Sequence, residues 1–359
     1  MRSLFVLLGA IAPLLSSHCS AAANRSATPA TFDSTWTAAG CGSTLTLAAE
    51  EYGPRVLTPK ACADNPITLE AKGATLINWT ARGVSGLTIE GGTWKNRNNG
   101  PRWTSAVAFE GSRNADGTPG TDCRRIAIHN AKVVGPFNDA PGQPYQPGDG
   151  YGVNFLRCQD LVVKDSVFTG FSNALLFGLS SRVTVDNIEC GFMRSDCMDL
   201  GQVWGAKISR VYCHTTLITG KEHPDCIQVW SRYFYPGSTT PAPPSSDLEI
   251  RNNRVDGKMQ GVFLGNHVRT YVDGQVHDDG GFARVLIEDN QITMSGGNAI
   301  GVSGATDITV RNNRVASLPD APFMANINLA KNTGVVRCGN IVESGGGKRG
   351  SKDPGCDKR

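Results

Sequence analysis

A short pattern of apolar and polar positions recurs along most of the chain. It reads apolar, any residue, apolar, any residue, polar or small, two further residues, apolar, as in LVVKDSVF. Nine copies begin at Leu87, Ile126, Leu161, Val183, Ala206, Leu248, Val285, Ile308 and Gly334. Measured between the third residues of consecutive copies, the shortest spacings are 22, 23, 23 and 26 residues. These spacings define a repeating unit, and the longer ones indicate loops inserted into single units.

A second apolar phrase lies between consecutive copies, with a central residue and another apolar residue two positions later. Its centres are Val153, Leu175, Met198, Ile227, Val262, Ile300 and Ile327. A period of two predicts β-strands. Two or three short strands in each repeat, with Gly and Asn at the corners, predict an all-β fold, a single-stranded right-handed parallel β-helix. The leucine-rich repeat is the rival solenoid, but its Leu and Asn phrase is absent from the sequence.

The cysteines give an independent test of this register. Three pairs occupy equivalent positions in neighbouring repeats: Cys123 with Cys158, Cys190 with Cys213, and Cys197 with Cys226. Parallel neighbours lie about 4.8 Å apart, which is within the Cα range of a disulfide. Each pair is therefore either a disulfide or two stacked thiols. Two further pairs would fasten the ends, Cys41 with Cys62 and Cys338 with Cys356.

The two ends of the chain differ from the repeats. Residues 1–23 carry a basic residue, an apolar run and then small residues, which predicts a signal peptide. We therefore expect a secreted or periplasmic protein with disulfides. Residues 24–344 are predicted to form the β-helix domain with an N-terminal cap, and residues 345–359 a C-terminal tail. The Pro-rich and Ser-rich stretch 235–246 is predicted to be a long loop beside the site.

Composition excludes several classes of partner. The 42 glycines favour a turn-rich fold, and 40% hydrophobic residues are enough to build a core. The net charge is +3 and no polybasic block occurs, so a nucleic-acid partner is not expected. Beyond the first residues, no run approaches the ~20 apolar residues of a membrane helix, so membrane insertion is not expected either.

Aligning the second phrase across repeats places polar side chains in columns. Two positions before the centres stand Tyr151, Asn173, Asp196, Asp225, Gln260 and Asn298. One position after the centres stand Asn154, Leu176, Asp199, Gln228, Phe263 and Gly301. Four positions before the centres stand Asp149, Phe171, Arg194, His223 and Lys258. Acidic residues thus concentrate in two adjacent repeats, with cations beside them.

This column predicts chemistry, because Asp196 and Asp225 would lie roughly 5 Å apart with Asp199 on the strand of Asp196. Such carboxylates share a proton, bind a cation or pair with a base. A shared proton provides a general acid. Ca²⁺ held by the three aspartates is the metal alternative, and no other cofactor is expected. His223 or Lys221 is the candidate base. The alternative is that the aspartates form a purely structural ladder and take part in no reaction.

Further residues of these repeats are candidates for contact with a ligand. The predicted substrate-binding residues are Arg194, Asp199, Gln228, Trp230, Lys258 and Gln260. An indole ring such as that of Trp230 can stack on sugar rings. The cations favour an acidic glycan as the ligand.

Three consecutive repeats resemble the pectin-lyase-like β-helix superfamily, and within it the polygalacturonase and rhamnogalacturonase hydrolases. RSDCMD at 194–199 resembles their N-T-D-G-I-D, and HPDCIQ at 223–228 resembles G-D-D-C-I-A. MQGVFLG at 259–265 resembles G-H-G-I-S-I-G. The resemblance implies an extended saccharide site with Asp196 and Asp225 as the family's catalytic carboxylates.

The sequence also departs from these hydrolases. Pro224 replaces the first Asp of the D-D pair, Gln260 stands in place of the family's His, and no R-I-K follows. Lyases and epimerases on this fold use other residues. We therefore expect an enzyme that cleaves a polysaccharide, an acidic and uronate-containing one, by β-elimination. The alternatives are a glycoside hydrolase using Asp196 and Asp225, and a noncatalytic glycan-binding or structural β-helix.

Overall fold

The computed structural model describes residues 22–97, 104–136, 150–217, 224–265, 270–272, 275–277, 280–322, 324–343 and 350–356. Nearly all of the predicted signal peptide therefore lies outside the described residues. Within these ranges no helix has the length and hydrophobicity that a membrane crossing requires.

Short strands make up most of the described chain. The N-terminal part contains β1 (Asn24–Ala27), α1 (Phe32–Ala38), β2 (Thr44–Leu47), β3 (Glu51–Tyr52), β4 (Arg55–Leu57), β5 (Lys60–Ala61), β6 (Ile67–Glu70), β7 (Thr75–Ile77), β8 (Trp79–Arg82), β9 (Val84–Glu90) and β10 (Thr93–Lys95). The central part contains β11 (Ser105–Glu110), β12 (Arg124–His129), β13 (Lys132–Val134), β14 (Tyr151–Leu156), β15 (Gln159–Thr169), β16 (Asn173–Met193), β17 (Met198–Thr216) and β18 (Asp225–Trp230). The C-terminal part contains β19 (Ser245–Arg251), β20 (Arg254–Gly257), β21 (Gln260–Leu264), β22 (Thr270–Val272), β23 (Gln275–His277), β24 (Phe282–Glu288), β25 (Gln291–Met294), β26 (Ile300–Ser303), β27 (Ala305–Arg311), β28 (Arg314–Ser317), β29 (Ile327–Ala330), β30 (Thr333–Cys338), β31 (Ile341–Val342) and β32 (Ser351–Lys352).

Strands of successive coils pair in parallel and form three faces. The first face, which we call the site sheet, stacks β4, β8, β11, β14, β16, β17, β18, β21, β26 and β29. The second sheet stacks β1, β2, β6, β9, β12, β15, β16, β17, β19, β24, β27 and β30. The third sheet stacks β3, β7, β10, β13, β15, β16, β17, β20, β25, β28 and β31. Because β16 and β17 run through the corners, each contributes to all three sheets. The predicted parallel β-helix is confirmed.

The strand register agrees with the sequence pattern except in the last coil. All seven centres of the second phrase are Cα partners in the site sheet. In the second sheet, however, Val310 pairs with Arg337, whereas the ninth repeat predicts Val336. A slip of one residue moves side chains to the opposite face, and Val336 is accordingly 36% exposed. Arg337 instead donates from Nε to Asp353 Oδ2 at 2.8 Å. The last coil thus forms contacts with the C-terminal segment, where the other coils pair with the coil that follows them.

Identical side chains stack inside the solenoid. Phe109, Phe155 and Phe177 form a continuous stack with ring centroids 5.0 and 5.2 Å apart, and each is fully buried. Such flat rings pack without voids at the spacing that parallel strands impose. The repeated apolar positions of the sequence therefore form the core.

Four buried asparagines form a ladder at the corner between the second and third sheets. The side-chain nitrogens of Asn253, Asn290 and Asn313 donate to the side-chain oxygen of the next asparagine at 2.9, 2.8 and 2.9 Å, and the ladder ends at Asn340. Each acceptor oxygen also receives the backbone N–H of the preceding asparagine. Because an amide carries both donors and an acceptor, each asparagine of the column can hydrogen-bond to the next one.

Five disulfides join the described cysteines. Three agree with the predicted pairs: Cys41–Cys62, Cys123–Cys158 and Cys338–Cys356. The other two run within a coil and not between coils: Cys190–Cys197 and Cys213–Cys226. Cys190 and Cys213 are Cα partners as predicted, yet the turn after β16 brings Cys197 back to a Cα separation of 5.8 Å from Cys190. The predicted stacking of Cys190 on Cys213 is confirmed. The predicted alternatives for their bonding, a disulfide between coils or two free thiols, are wrong, because each cysteine bonds within its own coil.

We predict that Asn290→Ala lowers the free energy of unfolding by about 2–4 kcal/mol, because a buried polar group left without a partner costs about 1–3 kcal/mol. The substitution removes the acceptor of two Asn253 hydrogen bonds. Denaturant unfolding of the variant beside the wild type measures the change. The control is Gln291→Ala, an exposed neighbour, which should alter stability by less than about 0.5 kcal/mol. Equal losses in the two variants would contradict the ladder's role.

Candidate functional site

Three aspartates meet at the start of the site-sheet strands in two adjacent coils. Asp196 lies in the turn before β17, Asp199 is the second residue of β17, and Asp225 is the first residue of β18. Strand alternation would place Asp196 and Asp199 on opposite faces. The turn breaks this alternation, because Cys197 enters the core as a disulfide partner. The two carboxyls therefore come together.

A hydrogen-bond network links these carboxyls; we call Asp196, Asp199 and Asp225 the acid cluster. Asn173 Nδ2 donates to Asp199 Oδ2 at 2.7 Å and to Asp196 Oδ2 at 3.3 Å. Asp196 Oδ1 accepts the backbone N–H of Asp225 at 2.7 Å. Oriented to donate, the Gln228 amide nitrogen lies 3.1 Å from Asp196 Oδ2 and 3.3 Å from Asp199 Oδ1. The predicted close approach of the acids is thus observed.

Burial raises the pKa values of Asp199 and Asp225 in the acid cluster and so favours their protonated forms. Asp196, Asp199 and Asp225 are 5%, 9% and 1% exposed. Burial raises the pKa of Asp199 well above its ordinary value, and so do the charge of Asp196, a hydrogen bond with Asp196 and the charge of Asp225. Burial, together with the charge of Asp196, raises the pKa of Asp225 to about 9. Asp225 therefore retains its proton at neutral pH, and the same causes favour the protonated form of Asp199.

Amide side chains flank the acid cluster in the neighbouring coils. Asn173 lies in the preceding coil and is 6% exposed. On the other side, Gln260 pairs with Asp225 across the strands and hydrogen-bonds to its carboxyl. Asn298 Nδ2 in turn donates to Gln260 Oε1 at 3.0 Å. Asn173 and Asn298 appear in the aligned column, but nothing in the sequence pattern distinguishes them as site residues.

Two aromatic rings lie on the surface of the site sheet beside the acid cluster. The ring of Trp230 is partly exposed and packs on Gly201. A Cβ added at Gly201 would lie only 2.3 Å from this ring, so only glycine allows the contact. Phe263 packs across Gly265 and Gly301 in the same way. Phe263 was missed as a site residue, although it stands in the outward column after Gln228. The glycines let both rings lie flat on the sheet.

Of the predicted cations, the structure describes Arg194 and Lys258. Arg194 is 2% exposed, so its side chain is enclosed and the structure does not place it where a ligand would be contacted. Its position in a turn, where strand alternation does not apply, accounts for the difference. Lys258 is exposed and forms an ion pair with Asp320 at 3.6 Å. Lys221 and His223 lie outside the described residues, so their roles stay predictions.

The acid cluster does not fit a calcium ion as it is arranged. Ca²⁺ takes six to eight oxygen ligands, with ionised carboxylates among them. Here Asp196 and Asp199 hydrogen-bond to each other, and the carboxyl oxygens of Asp196 also accept from Asn173 and from the backbone N–H of Asp225. In the described part of the chain, no group of three or more His, Cys, Asp or Glu side chains is placed to hold a metal ion. We therefore assign no chemical step to a cation.

No family model and no curated protein matches this chain. Among solved structures, the Dettilon tailspike protein is 14% identical with a TM-score of 0.50, over 83% of this chain and 55% of that chain. An alginate lyase from Paenibacillus sp. str. FPU-7 is 12% identical with a TM-score of 0.47, over 86% and 98%. A surface adhesin of Streptococcus pneumoniae is 13% identical with a TM-score of 0.44, over 87% and 81%. At such identities the likeness concerns the fold, and the chain is a parallel β-helix protein, as its resemblance to the pectin-lyase-like superfamily predicts.

Proposed function

We propose that this protein is a carbohydrate-active enzyme that cleaves a uronate-containing polysaccharide by β-elimination over the acid cluster. The observation that carries the proposal is the hydrogen-bonded set of buried aspartates, in which burial raises the pKa values of Asp199 and Asp225. Protonated carboxyls beside amide groups form a cluster of hydrogen-bond donors. Such a cluster suits a reaction in which negative charge develops on the substrate.

In β-elimination a base removes the proton on the carbon next to the uronate carboxyl group. The bond from the neighbouring carbon to the glycosidic oxygen then breaks, and the departing oxygen takes up a proton. A double bond conjugated with the carboxylate is left on the sugar. Charge accumulates on the carboxylate during proton removal, where protons held by Asp199 and Asp225 can stabilise it. An N–H of Gln228 is a third donor in the same network.

The base is proposed to be Lys221 or His223. They precede Asp225 by four and two residues in the same repeat. Either side chain can accept a proton once its own pKa is near the working pH. Arg194 is enclosed and Lys258 is ion-paired with Asp320, so neither is proposed as the base.

Hydrolysis is the second candidate, and one observation favours it. The raised pKa of Asp225 beside Asp196 provides an acid next to a potential base, which is the pairing that glycosidases use. The transition state of hydrolysis, however, carries positive charge and needs ionised carboxylates. A cluster that holds its protons is poorly suited to stabilising such charge. Elimination is therefore the better match.

The two reactions give different products, which makes the proposal testable. We expect the protein, incubated with polygalacturonate and polymannuronate, to release reducing ends together with the ultraviolet absorbance of a conjugated double bond. Neutral polysaccharides should give neither signal. Reducing ends without absorbance would establish hydrolysis instead. Silence with every polymer would support the noncatalytic interpretation.

The variant Asp225→Asn separates the catalytic interpretation from a structural ladder. We expect turnover to fall by at least about 10²-fold, the usual contribution of a hydrogen-bond donor to a developing anion. We also expect higher stability at pH 8. Asp225 ionises near pH 3.9 in the unfolded chain but only at about 9 when folded. The carboxyl therefore costs stability increasingly as pH rises from about 4 to about 9, and Asn removes that cost.

Activity assays and thermal unfolding of Asp225→Asn check both expectations. The matched control is Asp186→Asn on the second sheet, where Asp186 pairs with Arg210. This control should leave turnover unchanged and should not gain stability. A structural ladder predicts the reverse for Asp225→Asn, namely lost stability with every reaction unaffected.

The pH profile of kcat/KM should show an alkaline limb. As pH rises through the pKa of Asp225, about 9, the proton donor is lost and turnover falls. Because the aspartates are coupled, the limb reports the acid cluster rather than a single residue. Raising the ionic strength should leave the limb in place, since buried charges are little screened. Activity that stays constant to pH 10 would contradict a role for the protonated cluster.

A further inference from the structure

A preorganised cation lies beside the acid cluster on the site sheet. The guanidinium carbon of Arg232 lies 4.8 Å from the centroid of the Trp230 ring. That ring rests on Gly201, the Cα partner of Trp230 in the preceding coil. Gly201 follows Asp199 by two residues on β17. Positions two apart on a strand face the same side at about 7 Å, so the stacked pair borders the acid cluster.

The main chain of Arg232 is fixed from below by a buried glutamine. Gln202 is fully buried, and its side-chain oxygen accepts the backbone N–H of Arg232. Its side-chain nitrogen donates to the carbonyl of Pro243. One glutamine thus holds both ends of the loop that follows β18. The loop is held again at Ser238, whose hydroxyl donates to the carbonyl of Asp116 at 2.6 Å.

Arg232 differs from other arginines of the molecule in its surroundings. Several arginines on the outer surface form ion pairs with an acid of the neighbouring coil: Arg182 with Asp160, Arg210 with Asp186, and Arg284 with Asp247. For Arg232, the residues that the structure describes provide no acidic side chain within ion-pair distance. The side chain is nevertheless half-buried, and burial lowers its pKa. A partly desolvated guanidinium is best stabilised by a charged hydrogen-bond acceptor.

We propose that Arg232, held on the ring of Trp230, binds the carboxylate of a sugar residue next to the one that is cleaved. Arg232 is then the residue that makes the site select an anionic polysaccharide. A guanidinium donates in its own plane, so stacking one face on Trp230 leaves its N–H edge available for a carboxylate in a two-pronged contact. The inference rests on the proposed function, because it assigns the neighbouring sugar position of the same site.

The test compares anionic polymers with their neutral counterparts. Binding of polygalacturonate and polymannuronate, each beside its carboxyl-reduced form, is measured by calorimetry for the wild type, Arg232→Gln and Arg232→Lys. We expect Arg232→Gln to weaken binding of a uronate polymer by at least tenfold and to raise KM by a similar factor, with a smaller change in kcat. Binding of the carboxyl-reduced polymer should be unchanged. Arg232→Lys should recover part of the loss, since it restores the charge but not the planar fork.

The control variant is Arg284→Gln, which removes an ion-paired arginine on the second sheet and should bind like the wild type. Thermal unfolding of each variant verifies that the fold is kept. The inference is overturned if the wild type binds no uronate polymer, or if Arg232→Gln weakens binding of the charged and the reduced polymer equally. Selective loss of uronate binding without turnover by any variant would leave the inference standing and reject the proposed function.

Discussion

The structure depends on one constraint, the parallel pairing of each coil with the next at about 4.8 Å. This pairing places equivalent side chains of successive coils directly above one another. Phenylalanines in one column stack as rings, and asparagines in another column hydrogen-bond end to end. The same constraint brings Asp196 beside Asp225 at the start of the site-sheet strands. The geometry that builds the core therefore also creates the acid cluster.

The sequence predicts the strands well, because alternation and cross-coil pairing act on the same positions. Every centre of the second phrase pairs as expected. The predicted register is wrong in the last coil, where Arg337 takes the position expected for Val336. Its side chain donates a hydrogen bond to Asp353 of the C-terminal segment. Two of the five disulfides also differ from the predicted pairs. The Cα separations are 4.7 Å for Cys123–Cys158 between coils and 5.8 Å for Cys190–Cys197 within a coil, and both separations permit a bond.

The candidate site was predictable as a column but not in its contacts. Stacking alone placed Asp196 beside Asp225. The meeting of Asp196 with Asp199 depends on the turn before β17, whose direction no periodicity reveals. The same turn encloses Arg194, which the aligned column had placed beside the acids at the surface. Corners thus limit the prediction, because side-chain direction there follows turn geometry and not the period of a strand.

The chain itself provides a comparison between a structural polar ladder and the acid cluster. Asn253, Asn290 and their partners satisfy one another, because each amide both donates and accepts. Ionised aspartates are acceptors only, so a column of them repels itself and can be buried only by retaining protons. A purely structural column at this position would be served better by asparagine, as at the other corner. The presence of aspartate, at a cost in stability that grows with pH, favours a chemical role.

In the proposed function, the acid cluster and Arg232 both favour an anionic ligand, but they respond differently to pH. A carboxylate bound near the cluster disfavours ionisation of Asp225, so binding makes that proton harder to remove. By reciprocity, loss of the proton weakens binding of the carboxylate to the same extent. Arg232 opposes this effect at the neighbouring position, because its charge favours the bound anion whatever the state of the cluster. In the proposed function, the arginine therefore supplies affinity that is insensitive to pH below its own ionisation, whereas the aspartates supply the protons on which the proposed reaction depends.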